Sequence, residues 1–183
     1  MFEKGGFSMK ILLVIDMQKD FVDGALGTPE AVAIVPNVKA RIEQALKDDE
    51  RIIFTRDTHT EQYLQTQEGR KLPVPHCIRG SDGWQITEQL RPFAEQLRVI
   101  DKPGFGSIDL CRFLWERSQL MPIESITLVG LCTDVCIISN AMLLKATMPE
   151  TDIFVEAACC AGITPESHLN ALEAMKMCQI DII

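Results

Sequence analysis

Long apolar runs are missing from this chain. None approaches the roughly 20 residues that span a bilayer, and the opening MFEKGGFSMK lacks the apolar core of a secretory signal. A membrane-spanning or secreted protein is therefore not expected, and the cytoplasm is the expected compartment. Positive charge is short as well. The 18 Lys and Arg against 26 Asp and Glu leave a formal charge of -8, with no basic cluster large enough to neutralise a run of phosphates. That excludes nucleic acid as a partner and argues against anionic membrane surfaces. Low-complexity stretches and internal repeats are absent. No strand-like run leads into G-x-G-x-x-G or a Walker loop, which disfavours a dinucleotide-binding or flavodoxin-like module. Histidine is sparse, at three residues. Cysteine is not, but the seven thiols (77, 111, 132, 136, 159, 160 and 178) are odd in number and four lie in runs expected to be buried. This argues against a disulfide framework and for a reducing compartment, with most of them small core hydrophobes.

What is present suits one globular domain: 183 residues, 46% hydrophobic and 24% charged. Residues 1–9 read as a short disordered lead-in, with Met9 a candidate start, and 10–183 as the domain. Lys10–Asp16 (KILLVID) reads as a buried strand, and so do Arg51–Arg56, Leu97–Asp101, Ser125–Gly130 and Asp152–Glu156. Their continuous apolar character is what a sheet covered on both faces requires. Helix-period stripes lie between them: Val38, Ile42, Ala45 and Leu46; then Ile108, Cys111, Leu114 and Trp115. Val135 to Ala146 is apolar almost all round and predicts a buried helix. Leu169, Leu172 and Met175 mark a last helix, with Thr164 placed to cap it and Pro165 in its first turn. A final strand at Gln179–Ile183 has weaker support. Alternation of strand and helix predicts a mostly parallel sheet between two helical layers. In such sheets the ligand sits beyond the carboxyl ends of the strands.

Polar residues gather at those ends. The first strand ends at Asp16 in VIDMQKDF, the second in RDTH with Asp57 and His59, the third at Asp101 and Lys102, and the fourth runs into GLCTDVC. Each has a bland reading alone: Asp16 caps a turn, Lys102 is solvated, Cys136 is a buried structural thiol. Their conjunction favours a cleft of perturbed ionisable groups. Cys136 follows a strand, a tight turn and a helix start, where the helix dipole and backbone N–H groups favour a thiolate and can hold an oxyanion. Asp16 beside it can take the thiol proton and pass it to a leaving amine, while Lys102 keeps the acid from being isolated. Asp57 and His59, two apart, point the same way off a strand end. With His76 and Glu68 they make a donor set of two His and two carboxylates, suited to one divalent ion, Zn foremost, or Fe or Mn. The bland readings are a loop hydrogen-bonder for His59 and a solvated acid for Glu68. His168 is expected on an exposed turn of the last helix. A thiol redox pair, Cys132 with Cys136, has the wrong spacing and no second pair. It predicts that an Asp16→Ala variant keeps function, whereas hydrolysis predicts lost turnover with folding unaffected.

VIDMQKDF, RDTH, the PHC segment, DKPGFGS and GLCTDVC stand in the order found in nicotinamidases and other isochorismatase-like cysteine hydrolases. The chain resembles that family from about Ile11 to Thr164. The resemblance implies a three-layer α/β/α sandwich around a central, mostly parallel sheet of five or six strands. It implies a triad of Asp16, Lys102 and Cys136, an oxyanion hole from the backbone N–H groups of Cys132 and Cys136, often with a cis peptide before Cys132, and metal ligands Asp57, His59, His76 and, by position, Glu68. Phe21 matches the aromatic that packs on the substrate ring, with Trp84 or Tyr63 as a second wall. The activity implied is thioester-forming hydrolysis of a small carboxamide, nicotinamide foremost, the alternative being a carbamoyl, ureido or aryl-amide substrate. In many nicotinamidases a third His follows the Asp-x-His pair; here Tyr63 and Gln65 stand in that place. Family members are often oligomeric, and no interface stripe in the sequence decides the point. Residues 69–84 are expected to form a long irregular loop walling the site.

Overall fold

The computed structural model of the chain describes residues 8–183. The expected lead-in at 1–9 lies largely outside them, and Met9 already belongs to the first strand. In chain order the elements are β1 (Met9–Ile15), α1 (Lys19–Val22), α2 (Pro29–Lys47), β2 (Arg51–Asp57), α3 (Gln67–Lys71), α4 (Arg91–Ala94), β3 (Arg98–Lys102), α5 (Ile108–Ser118), β4 (Ile123–Leu131), α6 (Ile138–Thr147), β5 (Asp152–Ala161), α7 (Pro165–Met177) and β6 (Asp181–Ile182). A 3-10 turn at Tyr63–Gln65 precedes α3, and a π-turn at Thr133–Ile137 leads into α6.

The six strands pair in the order β3-β2-β1-β4-β5-β6, all parallel. Strand side chains alternate between faces, and β1 shows the consequence. Ile11, Leu13 and Ile15 join one buried core with α5, α6 and α7, while Leu12 and Val14 join a second with α2 and α4. Cys159 and Cys160 are split the same way, one to each core, which makes both of them core thiols. Two cores on the two faces of one sheet make the three-layer sandwich, with the weakly supported final strand present as β6 on the edge. No helix among the described residues is long and apolar enough to cross a membrane.

Helix starts follow the local chemistry. Thr28 caps α2 by accepting from the Ala31 N–H at 3.0 Å, with Pro29 in the first turn. Thr164 caps α7 in a reciprocal pair with Ser167. The helix faces are rotated slightly from the expected stripes. Leu46, Ile108, Trp115 and Leu169 are exposed, and Leu110 takes the buried place that Ile108 was expected to fill. The apolar α6 buries Asn140, Ala141 and Leu144, but its other flank is only half-buried. Residues 69–71 of the expected loop finish α3, and the stretch beyond them to Trp84 has no regular element, as expected.

β1 is where the strand order reverses, since the chain runs β1 to β3 on one side and restarts at β4 on the other. A crevice opens at the carboxyl ends of strands flanking such a reversal. Gly130 lets β4 approach β1 there. Its φ is +118°, and a Cβ built on it would lie 2.1 Å from the carbonyl oxygen of Ile15. A Gly130→Ala substitution should therefore cost roughly 3 kcal/mol or more of unfolding free energy. Denaturant unfolding of the variant beside wild type measures it, and a loss below about 0.5 kcal/mol, the range of neutral surface changes, would overturn the reading.

Candidate active site

Four strand ends meet at this crevice. Asp16 follows β1 in a left-handed conformation, φ 46°, which Asp tolerates better than most residues. Thr55 of β2 fixes it from the neighbouring strand, donating to Asp16 Oδ1 at 2.7 Å and accepting from its N–H at 3.2 Å. Lys102 closes β3 and reaches across β2 with its side chain wholly buried. Its Nζ lies 2.7 Å from Asp16 Oδ2 and 3.6 Å from Asp57 Oδ1. It also donates to the Gly104 carbonyl at 2.9 Å and to Cys136 Sγ at 3.5 Å. Cys136 comes from β4 through the π-turn, which follows a cis peptide between Leu131 and Cys132. Asn140, the lone amide of the apolar α6, braces this turn: it donates to the Cys136 and Phe105 carbonyls and accepts from the Ser107 N–H. Asp16, Lys102 and Cys136, predicted from separate segments, thus form one buried cluster.

Burial and charge set the protonation of that cluster. Burial raises the Asp16 carboxyl above its usual range, and the Lys102 ammonium pulls against that rise. For Lys102 burial favours the neutral amine, but the Asp16 and Asp57 carboxylates outweigh it and hold the ammonium more firmly than in water. Cys136 is pushed well above the usual thiol range by burial first and by the Asp16 charge second, with Lys102 opposing. The free site therefore holds a thiol. The thiolate expected from the helix dipole does not prevail at rest, because desolvation of a fully buried sulfur is the larger effect.

A second cluster lies beside the first. Asp57 at the end of β2, His59 after it, Glu68 on α3 and His76 on the following loop place one donor atom each within 4.8 Å of one another. His59 Nε2 lies 3.0 Å from Asp57 Oδ2 and 3.6 Å from Glu68 Oε1, and His76 Nε2 stands 3.8 and 3.7 Å from the same two oxygens. Ligand bonds near 2.0–2.2 Å in a tetrahedral site put neighbouring donors about 3.3 Å apart, close to this spread. Two further observations fit an ion. His59 Nε2 is buried with no hydrogen-bond partner, and His76 Nδ1 lies 2.8 Å from the Val74 carbonyl, so a proton there leaves Nε2 bearing the lone pair. The donor set suits a divalent metal. Burial works to raise the Asp57 carboxyl, but the adjacent His59 ring and the Lys102 charge hold it below its usual range, and so ready to bind a cation.

Both clusters open on one cavity of about 170 Å³, lined by Cys132, Cys136, Asp57, Glu68 and His76 and by apolar walls that include Phe21, Leu26, Leu72, Phe105, Val135 and Ile163. Phe21 lines this cavity, its ring 5.4 Å from that of His76. Trp84 and Tyr63 are not in the wall. The Trp84 indole donates to Thr58 Oγ1 and lies under the Arg56 guanidinium. Tyr63 is buried behind the two histidines, with ring centroids 4.7 Å from His59 and 4.9 Å from His76 and its hydroxyl donating to the Leu72 carbonyl. It packs against the two histidines and does not reach the cavity. His168 is half-buried and not on an exposed turn, with Nδ1 2.8 Å from Thr133 Oγ1 at the start of the π-turn that carries Cys136. Thr55 and Asn140 are not among the residues the motifs pick out, although each carries a signal: a polar residue inside an otherwise apolar strand or helix.

The geometry also changes what Asp16→Ala should do. Removing Asp16 strands a buried ammonium, so folding does not escape: a loss of about 3–5 kcal/mol is expected by denaturant unfolding, less for Asp16→Asn. Equal stability of Asp16→Ala and wild type would show that Lys102 is not held as an ion.

Comparison with known proteins supports the same fold. The Isochorismatase domain matches residues 10–183. The chain is similar to a pyrazinamidase/nicotinamidase structure from Streptococcus mutans, at 27% identity and TM-score 0.82, covering 95% of this chain and 99% of that one. A pyrazinamidase of Pyrococcus horikoshii in complex with zinc aligns at 26% identity and TM-score 0.80, over 95% and 98%. A nicotinamidase/pyrazinamidase of Mycobacterium tuberculosis is 23% identical over 96% of this chain and 98% of its own. A domain match over nearly the whole chain, on a six-stranded parallel sandwich with both clusters at its strand reversal, places this protein in the isochorismatase family.

Proposed function

We propose that this protein is a metal-assisted cysteine amidohydrolase that cleaves a small flat carboxamide, nicotinamide first among them, to the carboxylate and ammonia. The observation that carries the reading is that the Asp16–Lys102–Cys136 cluster, through Cys136, and the four-donor cluster, through Asp57, Glu68 and His76, reach one cavity. Its volume of about 170 Å³ is near the size known to take a benzene ring, about 150 Å³, and its apolar walls favour a ring over a charged chain. The nicotinamidases and pyrazinamidases among its relatives, one of them a zinc complex, support an aromatic amide and zinc.

A divalent ion held by Asp57, His59, Glu68 and His76 would supply Lewis acidity and acidify a bound water. The chain's residues do the rest. Phe21 lies against the ring and the apolar walls exclude bulk water from it. Asp16 takes the proton of Cys136 as the sulfur adds to the amide carbon, so the buried thiol is ionised only as it reacts. Lys102, bonded to both, keeps negative charge tolerable at each stage. The backbone at Cys132 and Cys136 receives the oxyanion. Asp16 then returns the proton to the leaving ammonia, and water cleaves the thioester to the acid and the free thiol.

Ammonia release from nicotinamide by zinc-loaded protein tests this. Wild type should turn over, and Cys136→Ala should lose at least about 1,000-fold in kcat, as removal of a nucleophile does. Absence of turnover by the loaded wild type would remove nicotinamide as the substrate, and activity surviving Cys136→Ala would remove the nucleophile.

A further inference from the structure

The first motif, Asp16-Met-Gln-Lys-Asp-Phe21, holds three polar residues besides the catalytic carboxylate, and two of them, Gln18 and Asp20, bond to the backbone at or beside a proposed metal ligand. Gln18 is fully buried. Its Oε1 accepts from the Asp57 N–H at 2.6 Å, and its Nε2 donates to the Asp57 carbonyl at 2.9 Å and to the Trp84 carbonyl at 3.0 Å. Both amide hydrogens are used. The side chain grips the peptide groups on either side of Asp57 as a neighbouring strand would, beyond the last β1–β2 register pair, Val14 with Phe54. The Asp57 side chain is thereby aimed from a backbone held on both sides.

Asp20 does the equivalent for His76. Its Oδ2 accepts from the Cys77 N–H at 2.7 Å, and its carboxylate packs so close to Gly83 that a Cβ there would lie 2.2 Å away. Cys77 has φ +47°, an unfavourable conformation for a residue with a β-carbon, so the turn after His76 depends on outside contacts to keep its shape. Its two main-chain groups supply them: the N–H to Asp20, and the carbonyl to the His59 N–H at 3.0 Å. One short helical segment thus holds two ligands that lie 19 residues apart on different elements.

Resting on the metal-site reading above, we infer that Gln18 and Asp20 are positioning residues for the metal ligands Asp57 and His76. The motif that carries the catalytic acid also sets the geometry of the metal site, and partners of this kind are commonly worth roughly 10–100-fold in metal affinity. A purely structural role would instead lower the stability of the metal-free protein and leave affinity alone.

The test uses full-length protein stripped of metal, as wild type, Asp20→Ala, Asp20→Asn and Gln18→Met. Zinc affinity is read by competition with a chromophoric chelator, coordination by the visible absorption of the cobalt(II) form, and folding by melting of the metal-free protein. Asp20→Ala and Gln18→Met should bind zinc roughly 10–100-fold more weakly, with altered cobalt bands. Asp20→Asn, whose amide oxygen still accepts from Cys77, should stay within about threefold of wild type, well inside that range. If Asp20→Ala and Gln18→Met bind zinc as wild type does and give its cobalt spectrum, the assignment is overturned, whatever their melting temperatures. Wild type that takes up neither ion would overturn the four-ligand reading itself, and this assignment with it.

Discussion

The buried ion pair between Asp16 and Lys102 is the constraint on which the rest of the site depends. An ammonium and a carboxylate taken wholly out of water are tolerable only when each is the other's partner and the remaining hydrogen-bonding capacity is met. Thr55 and Gly104 meet part of it, and Cys136 and Asp57 fill the remaining directions around the ammonium. Because Lys102 comes from β3 and Asp16 from β1, the pair can close only across the β2 end that lies between them. The electrostatic centre is therefore also a fastening of three adjacent strands.

The same burial favours the thiol form of Cys136 over the thiolate. A sulfur placed beside a carboxylate and away from water is a poor thiolate. For the proposed reaction the arrangement offers a proton acceptor with a raised pKa and a fixed cation, so that charge created there would be met by groups already oriented toward it. The four-donor cluster lies beside it, and its Asp57, at the end of β2, stands 3.6 Å from the Lys102 ammonium. The two clusters are thus electrostatically continuous, and a change at Asp57 is felt by both.

Much of this was legible in the chain. The five main strands could be read because a strand covered on both faces must be apolar throughout, and KILLVID or SITLVG has no other soluble use. The polar residues that follow each strand could be read as site residues because a parallel sheet exposes its carboxyl ends at one rim. The helix faces were less exact: Ile108, Trp115, Leu46 and Leu169 lie outside the buried stripe, since small rotations of a helix move its edge positions into solvent. The shortest helices, α1, α3 and α4, carry too few residues for any periodicity to show.

The sequence by itself determined the layer architecture, the order of the strands' chemistry and the identity of the clustered donors, because these follow from local pattern and from where strands end. Tertiary structure alone decided which aromatic rings face the cavity. Phe21 does, lying on the short α1 just beyond the end of β1, whereas Trp84 and Tyr63 went to Thr58 and to the backs of the histidines, because the path of an irregular loop is set by the contacts available to it. It also decided the protonation of Cys136 and the burial of His168. Desolvation and packing are properties of the assembled surroundings, and no spacing along the chain encodes how much water is left beside a given atom.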